Sequence, residues 1–254
     1  MSHLLRAYER GVLRVTVNRP AKRNAVSREV LQELKAVFRA HAELDDLRLA
    51  VLGGAGELAF CAGADLVDLA EVREAEAAEA FAADATTALD AIRLFPVPTV
   101  AALNGVALGG GAELALACDM RVAAAHARIG FLHAQLNTST AWGGGPDLAR
   151  LVGYAKALEL LASAGTVAAE EARAIGLVNQ VAPRGTSLID FLDRFLEPMA
   201  ARPPHVLRAF KAQALAERFG HAVDLRREVE REQFVQTWTD PARLAATDDR
   251  FKAS

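Results

Sequence analysis

Cysteine and aromatic residues are scarce in this chain of 254 residues, which contains two cysteines, two tryptophans and two tyrosines. The cysteines, Cys61 and Cys118, stand far apart, and neither has a second cysteine or a histidine at the spacing of a metal site. This pattern excludes a disulfide scaffold and indicates no metal centre. We expect both thiols to be small buried side chains in a reducing compartment.

Long apolar runs and an excess of basic charge are also missing. No uncharged apolar run approaches the ~18 residues of a membrane span, and the first ten residues have no long apolar segment of the signal-peptide type. The 29 lysines and arginines are outnumbered by 32 aspartates and glutamates, a balance that argues against binding to nucleic acid. These absences predict a cytoplasmic protein that binds neither membranes nor nucleic acid.

The chain is instead rich in apolar residues, 52% of the total, in a pattern of strands alternating with helices. A hairpin is predicted over residues 4–18, a helix from the N-cap Ser27 to about residue 44, and one strand over residues 99–108. Beyond residue 186 only helices are predicted, the last of them beginning at Pro241. The pattern predicts an α/β core over residues 1–185 and a helical region over residues 186–254.

Two loops of small residues are candidates for contact with a ligand. Gly109, Gly110 and Gly111 open a helix, and residues 60–65 (FCAGAD) form the second loop. Without Cβ atoms the backbone approaches a ligand closely, and the first amides of a helix have no intrahelical partner. Amides from both loops that met at one oxygen would form an oxyanion hole for acyl or enolate chemistry. The glycines alone fit a tight strand-to-helix turn equally well.

Four segments carry motifs in the same order along the chain. They are residues 18–20 with 24–25 (NRP and NA), 59–66 (AFCAGADL), 104–114 with 118–119 (NGVALGGGAEL and CD), and 172–179 (ARAIGLVN). Together they resemble the enoyl-CoA hydratase/isomerase (crotonase) superfamily. The resemblance implies a crotonase-like (ClpP/crotonase) α/β spiral of β-β-α turns with a helical C-terminal trimerisation region, in a homotrimer or a dimer of trimers. It also implies an acyl-CoA thioester substrate, with coenzyme A entering as part of that substrate and no separate cofactor or metal.

The same resemblance implies roles for individual residues. The amides of Ala64 and Gly110 would hold the thioester oxygen, and Glu113 would be the acid/base group. Contacts to the substrate and its coenzyme A portion would fall on Lys22, Arg23, Ala25, Ala62, Gly63, Asp65, Leu66, Gly109 and Trp142. Without the resemblance, Glu113 is a carboxylate favoured by the helix dipole, and Asp65 is a loop cap.

Position 133 departs from the hydratase pattern. Typical hydratases of the superfamily carry a second glutamate some twenty residues after the first, and His133 occupies that position here. Hydration needs one group to activate water and another to deliver a proton, which a Glu113–His133 pair is still able to supply. The alternative for His133 is a core histidine without a catalytic role.

Further segments resemble the branch of the superfamily that contains ethylmalonyl-CoA decarboxylase. They are residues 131–133 (FLH), 142–144 (WGG), 203–206 (PPHV) and 238–244 (WTDPARL). A malonyl thioester carries its own carboxylate, which a second glutamate would repel and a histidine would not. The leading prediction is therefore a lyase that decarboxylates a short malonyl-type acyl-CoA, namely methyl- or ethylmalonyl-CoA. Hydration or isomerisation of a 2-enoyl-CoA in fatty-acid or amino-acid catabolism is the alternative.

Two other classes of function stay open. Residues 54–59 (GAGELA) fit a loose dinucleotide-binding fingerprint after a strand, which would indicate an oxidoreductase, although no helix pattern begins there. The absent second glutamate also fits a family member that binds CoA esters without turning them over.

Overall fold

The computed structural model describes residues 3–241 and residue 243. The strands are β1 (Leu4–Glu9), β2 (Val12–Val17), β3 (Leu49–Gly54), β4 (Ala59–Cys61), β5 (Thr99–Leu103), β6 (Val106–Leu108), β7 (Met120–Ala123), β8 (Arg128–Gly130), β9 (Thr166–Ala168) and β10 (Gln180–Val181). The α-helices are α1 (Arg28–His41), α2 (Ala75–Arg93), α3 (Gly110–Ala117), α4 (Gly144–Val152), α5 (Tyr154–Ser163), α6 (Ala169–Ala174), α7 (Leu188–Ala200), α8 (Pro204–Arg218) and α9 (Val223–Trp238). Two 3-10 helices span Pro20–Lys22 and Leu132–Leu136.

The strands form two sheets. The larger has the order β1-β2-β3-β5-β7-β10, with β1 antiparallel to β2 and the other neighbours parallel. The smaller has the order β4-β6-β8-β9, with only β9 antiparallel to its neighbour. The pairs β3–β4, β5–β6 and β7–β8 each place their first strand in the larger sheet and their second in the smaller, and α2 and α3 follow the first two pairs. This repeated β-β-α turn is the spiral that the family resemblance implies.

The single strand predicted over residues 99–108 is wrong. The chain breaks at Asn104 and Gly105 into β5 and β6, which belong to different sheets. The Asn104 side-chain amide donates to the carbonyl of Ala59 over 3.0 Å, and a Cβ on Gly105 would lie 2.3 Å from the carbonyl of Leu58. The break is therefore fixed by close contact with the residues that lead into β4.

Several boundaries also differ from the predicted ones. β4 lies at a place where the sequence predicts part of a loop, and β9 is not predicted, because strands of three residues are too short to show an alternating pattern. The chain after β4 forms a series of turns, and α2 begins only at Ala75. The helix predicted from Pro241 falls mostly on residues outside the described part of the chain.

The helical region that follows residue 186 begins against the larger sheet. Ser187 is the N-cap of α7, because its Oγ accepts from the Asp190 amide over 3.3 Å. Leu192 and Leu196 of α7 pack on one face of the sheet, against Leu49, Val51, Val100, Ala102 and Val122. The main hydrophobic core lies elsewhere and contains α3, whose eight residues are all buried. Among the described residues, no helix is both long and apolar enough to cross a lipid bilayer.

Candidate active site

Glu113 is the most deeply buried carboxylate of the predicted site. It lies in the first turn of α3, directly after β6, and is 1% exposed. Its Oε2 atom accepts hydrogen bonds of 2.9 Å from the backbone amides of Trp142 and Gly144. The fold therefore holds the Glu113 side chain in a fixed orientation.

His133 contacts the other oxygen of the same carboxylate. Its Nε2 atom lies 3.0 Å from Glu113 Oε1. The two side chains meet because β6 and β8 are parallel neighbours with Leu108 paired to Gly130, so that α3 and the 3-10 helix Leu132–Leu136 leave the same edge of the smaller sheet. The structure thus brings together the two residues that the sequence predicts to be catalytic.

The second ring nitrogen of His133 is available for another contact. Nδ1 is buried and has no hydrogen-bond partner among the described residues, while the side chain as a whole is 14% exposed. Buried polar atoms are nearly always hydrogen-bonded in folded proteins. The alternative for His133 is a core histidine without a catalytic role, and both ring nitrogens of such a residue would be hydrogen-bonded. His133 differs, because Nε2 contacts the Glu113 carboxylate and Nδ1 has no partner among the described residues.

The two small-residue loops lie side by side. Gly63 and Gly109 have positive φ angles of +117° and +53°, and a Cβ on Gly63 would lie 3.9 Å from the Gly110 nitrogen. In the neighbouring backbone, the Val26 amide donates to the Gly63 carbonyl and the Asp65 amide donates to the Val26 carbonyl. Within the part of the chain that the structure describes, no acceptor takes the amide of Ala64 or of Gly110. The amides predicted to form an oxyanion hole are therefore both free to bind an oxygen.

Trp142 covers one of these loops. It is 4% exposed, and its ring meets Phe81 edge to face at a centroid distance of 5.9 Å. A Cβ on Gly110 would lie 2.4 Å from the Trp142 ring, so only glycine fits beneath the indole. Trp142 thus touches the predicted oxyanion loop with its ring and Glu113 with its backbone amide.

The residues predicted to contact coenzyme A lie on two connected loops. The Ala62 amide donates to the Arg23 carbonyl over 3.0 Å, which ties the loop of Lys22, Arg23 and Ala25 to the loop of residues 62–66. Lys22 and Arg23 are exposed, and Leu66 is also exposed. Two basic side chains therefore lie at the surface, on a loop that is joined to the loop of residues 62–66.

Asp65 has a structural role on these loops that involves a residue missed by the sequence interpretation. Its Oδ2 atom accepts from Arg19 over 2.8 Å and lies 3.8 Å from Lys22 Nζ, while Oδ1 accepts from the Val67 amide. Burial acts to raise the pKa of Asp65, but the Arg19 hydrogen bond and the Lys22 charge outweigh it, so that this pKa is lowered from its usual 3.8. The carboxylate joins the two loops, as a loop cap would.

Arg93 is a second residue that the sequence interpretation missed. It is buried in the last turn of α2 and donates to Asp147 over 2.8 Å, to Asp90 over 2.9 Å and to the Trp142 carbonyl over 2.5 Å. The only signal in the sequence is an arginine three residues after an aspartate on a helix, a spacing that is common on solvated surfaces.

Neither cysteine belongs to the site chemistry. Cys61 and Cys118 are both buried, and burial raises the pKa of each thiol to about 12. A thiol that stays protonated is a poor nucleophile and a poor metal ligand. Their burial agrees with the prediction of small core side chains.

The dinucleotide-binding alternative is wrong. Gly54 ends β3, and the residues after it lead into the strand β4 and not into a helix. A Cβ on Gly54 would lie 2.4 Å from the Phe60 carbonyl, so this glycine serves chain packing. A dinucleotide fingerprint requires a helix N-terminus at that place to bind the pyrophosphate.

Comparison with known proteins decides the family. A family model described as enoyl-CoA hydratase/isomerase matches residues 7–243. The chain belongs to the enoyl-CoA hydratase/isomerase family. It is 35% identical over 252 residues to the 2,3-dehydroadipyl-CoA hydratase of Escherichia coli K12, an alignment that covers 99% of this chain and 94% of that protein. It is 40% identical over 200 residues to the mevalonyl-coenzyme A hydratase of Beauveria bassiana, covering 76% and 71%.

Solved structures of the family agree with the fold. An enoyl-CoA hydratase from Bacillus anthracis superposes with a TM-score of 0.92 at 30% identity, covering 99% of this chain and 97% of that one. Other relatives are matched over less of their length, 64% for YngF of Bacillus subtilis and 54% for the mouse methylglutaconyl-CoA hydratase. The predicted superfamily and spiral fold are confirmed. The resemblance to the decarboxylase-like branch gains no support from these family members.

Proposed function

We propose that this family member hydrates a 2-enoyl-CoA thioester, with Glu113 and His133 as the catalytic pair. The observation that carries the proposal is the 3.0 Å contact between His133 Nε2 and Glu113 Oε1, which provides two groups able to exchange protons with substrate and with each other. The relatives named as hydratases support the same reaction, in preference to the decarboxylation that the sequence interpretation placed first.

The geometry suits a stepwise transfer of water. As the water oxygen bonds to the β-carbon, its proton passes to Glu113, and the π-electrons move onto the thioester oxygen to give an enolate. The amides of Ala64 and Gly110 bind that oxygen, each contributing roughly 3 kcal/mol to catalysis. Protonated His133 then gives its Nε2 proton to the α-carbon. Glu113 returns its proton to His133 across their contact, which restores both groups.

The coenzyme A portion is expected on the two connected loops near the surface. Lys22 and Arg23 supply positive charge for its phosphates, and the adjoining backbone and side-chain contacts would come from Ala25, Ala62, Gly63, Asp65, Leu66 and Gly109. Trp142 would close the acyl end of the site beside Gly110. Coenzyme A is thus part of the substrate in this proposal, and the reaction uses no separate cofactor.

Decarboxylation of a malonyl-type CoA is the second candidate, and one observation favours it. His133 supplies no second negative charge beside Glu113, so the site repels a substrate carboxylate less than a pair of glutamates would. Loss of CO2 would leave the electron pair of the broken C–C bond on the α-carbon as a thioester enolate, which the same amides would bind, and His133 or Glu113 would protonate that carbon.

Two substitutions test the roles of the catalytic pair. Glu113→Gln keeps the size of the side chain but removes the base, and we expect kcat for crotonyl-CoA hydration to fall about 100-fold or more. His133→Ala removes the proton donor, and we expect a loss of about tenfold or more. Steady-state kinetics on folded protein measures both. Wild-type turnover in His133→Ala would show that this residue has only a structural role.

His133→Glu separates the two candidate reactions. This change installs the second carboxylate, which is able to donate a proton to the α-carbon once it is protonated. A hydratase should therefore keep its activity on crotonyl-CoA within about tenfold, whereas a decarboxylase should lose activity on methylmalonyl-CoA through like-charge repulsion.

Tight binding of both esters to the wild-type protein with no turnover of either would instead indicate a binding protein without catalysis.

A further inference from the structure

Arg93 makes directional contacts that go beyond balancing charge. Its side chain is 4% exposed, and its three nitrogens donate in three directions, Nε to Asp147, Nη1 to Asp90 and Nη2 to the Trp142 carbonyl. A guanidinium group is planar and fixes several partners at once, which a lysine ammonium on its flexible stem does less well. The position of the Trp142 carbonyl is therefore set by a group that is itself held by two aspartates.

The turn between Trp142 and α4 is shaped around this guanidinium. Gly143 has a φ angle of +88°, and a Cβ at this residue would lie 2.7 Å from Arg93 Nη2. Its carbonyl accepts from the Asp147 amide over 3.2 Å, which starts α4. Asp147 in turn binds Arg93, so the turn and the guanidinium are fixed to each other at two points.

Glu113 is bound by the same turn. Trp142 accepts from Arg93 with its carbonyl and donates to Glu113 Oε2 with its amide. The Gly144 amide, two residues further on, donates to the same oxygen. A shift of this turn would therefore move both amide donors away from the carboxylate at once.

We propose that Arg93 is a positioning residue for the reaction, which holds the turn of residues 142–144 in the place where its two amides orient the Glu113 carboxylate toward His133. Arg93 acts through Trp142 and has no contact with Glu113 among the described hydrogen bonds. This role rests on the proposed function, in which Glu113 is the base.

The test compares turnover per binding site in variants of Arg93 and of a neighbouring arginine. Arg93→Met removes all three donors, and Arg93→Lys keeps the charge. Arg218→Met is the matched control, because Arg218 also binds Asp147, over 3.0 Å, but donates its other hydrogen bonds to the carbonyls of Leu116 and Ala117 at the far end of α3. Binding sites are counted by calorimetric titration with butyryl-CoA, a saturated ester that has no double bond to hydrate, and kcat is measured on crotonyl-CoA.

We expect Arg93→Met to lower kcat per site about 10- to 100-fold with KM changed less than about threefold, since small misplacements of a catalytic group have effects of this size. Arg93→Lys should recover part of the loss. Arg218→Met should melt at a lower temperature yet keep kcat per site within about threefold. Should Arg93→Met not fold, Gly143→Ala retains the arginine but places a methyl group against its guanidinium and so displaces the same turn, and the same loss of kcat is expected.

The outcomes separate the positioning role of Arg93 from the proposed hydratase function. Wild-type kcat per site in Arg93→Met or Gly143→Ala, alongside an inactive Glu113→Gln variant, would overturn the positioning role and leave the proposed function standing. An equal loss in Arg218→Met would also overturn it, because the effect would then follow general destabilisation. Full activity in Glu113→Gln would overturn the proposed function, and the positioning role with it.

Discussion

A carboxylate with the burial of Glu113 is costly by several kcal/mol unless its oxygens are fully hydrogen-bonded. Here two backbone amides and one imidazole nitrogen serve as donors. Because amides have no rotamers of their own, the carboxylate is as well ordered as the turn that carries them. The proposed catalysis by Glu113 should therefore be sensitive to any change in the fit between this turn and α3.

Gly144 offers a direct check of that fit. A Cβ at this position would lie 2.4 Å from Glu113 Cγ and 2.8 Å from Oε2. Gly144→Ala should therefore displace the carboxylate from its donors and lower kcat about tenfold or more, as measured by steady-state kinetics on crotonyl-CoA. Gly165→Ala is the control, because its nearest neighbour would be Ser163 Oγ at 3.7 Å. Unchanged kcat in Gly144→Ala would show that the fit is looser than the structure indicates.

The two residues of the proposed catalytic pair could be picked out from the sequence, whereas the residues that support them could not. Glu113 follows a run of glycines, and His133 stands at a characteristic spacing from it, so both are visible in one linear pattern. Arg93 and Arg19 find their partners 46 to 54 residues away along the chain. A single sequence contains no signal for pairings at that distance, and each arginine alone is typical of a solvated surface.

At the scale of elements, the smaller sheet and its loops bring the site together. Its four strands, β4, β6, β8 and β9, have only three residues each, so their existence depends on pairing with each other more than on local propensity. That dependence explains why β4 could not be predicted from its sequence. The segments that leave this sheet carry Ala64, Glu113 and His133, and Asp65 ties the segment that carries Ala64 to the loop that contains Arg19.

The Asp65 pairing predicts a dependence of stability on pH. Since the pKa of Asp65 is lower in the folded chain than its usual 3.8, its carboxylate stabilises the fold above that pH and stops doing so as the pH falls through the folded value. Asp65→Asn should therefore melt below the wild-type protein at pH 7, and the gap in Tm should close toward pH 3. Asp224→Asn, at a fully exposed site, is the control. A gap of the same size at both pH values would show that the pairing with Arg19 and Lys22 has no electrostatic part.

At the scale of the whole molecule, the C-terminal helices carry unusually many exposed apolar side chains. No residue of α9 is buried, and the exposed large side chains on α8, α9 and the turn between them are Phe210, Phe219, Val223, Leu225, Phe234, Val235 and Trp238. A group of exposed large apolar side chains usually marks a contact between proteins. The trimerisation that the sequence resemblance implies would cover such a surface.

A measurement of mass in solution checks this prediction. We expect light scattering after size-exclusion chromatography to give three times the 27.1 kDa of one chain, or six times for a dimer of trimers. Replacing Phe234 and Trp238 by serine should shift the mass toward one chain, because their apolar area would no longer favour association. A monomeric wild-type protein would show that these helices serve another purpose.

The most direct test of the central claim is a substrate comparison with the wild-type protein. Crotonyl-CoA, methylmalonyl-CoA and ethylmalonyl-CoA are offered separately, and loss of the conjugated double bond and release of CO2 are followed. The pairing of Glu113 with His133 predicts hydration of crotonyl-CoA at ordinary enzymatic rates, roughly 1 to 1,000 per second, with no comparable loss of CO2 from either malonyl ester. Rapid CO2 release without hydration of crotonyl-CoA would contradict the account.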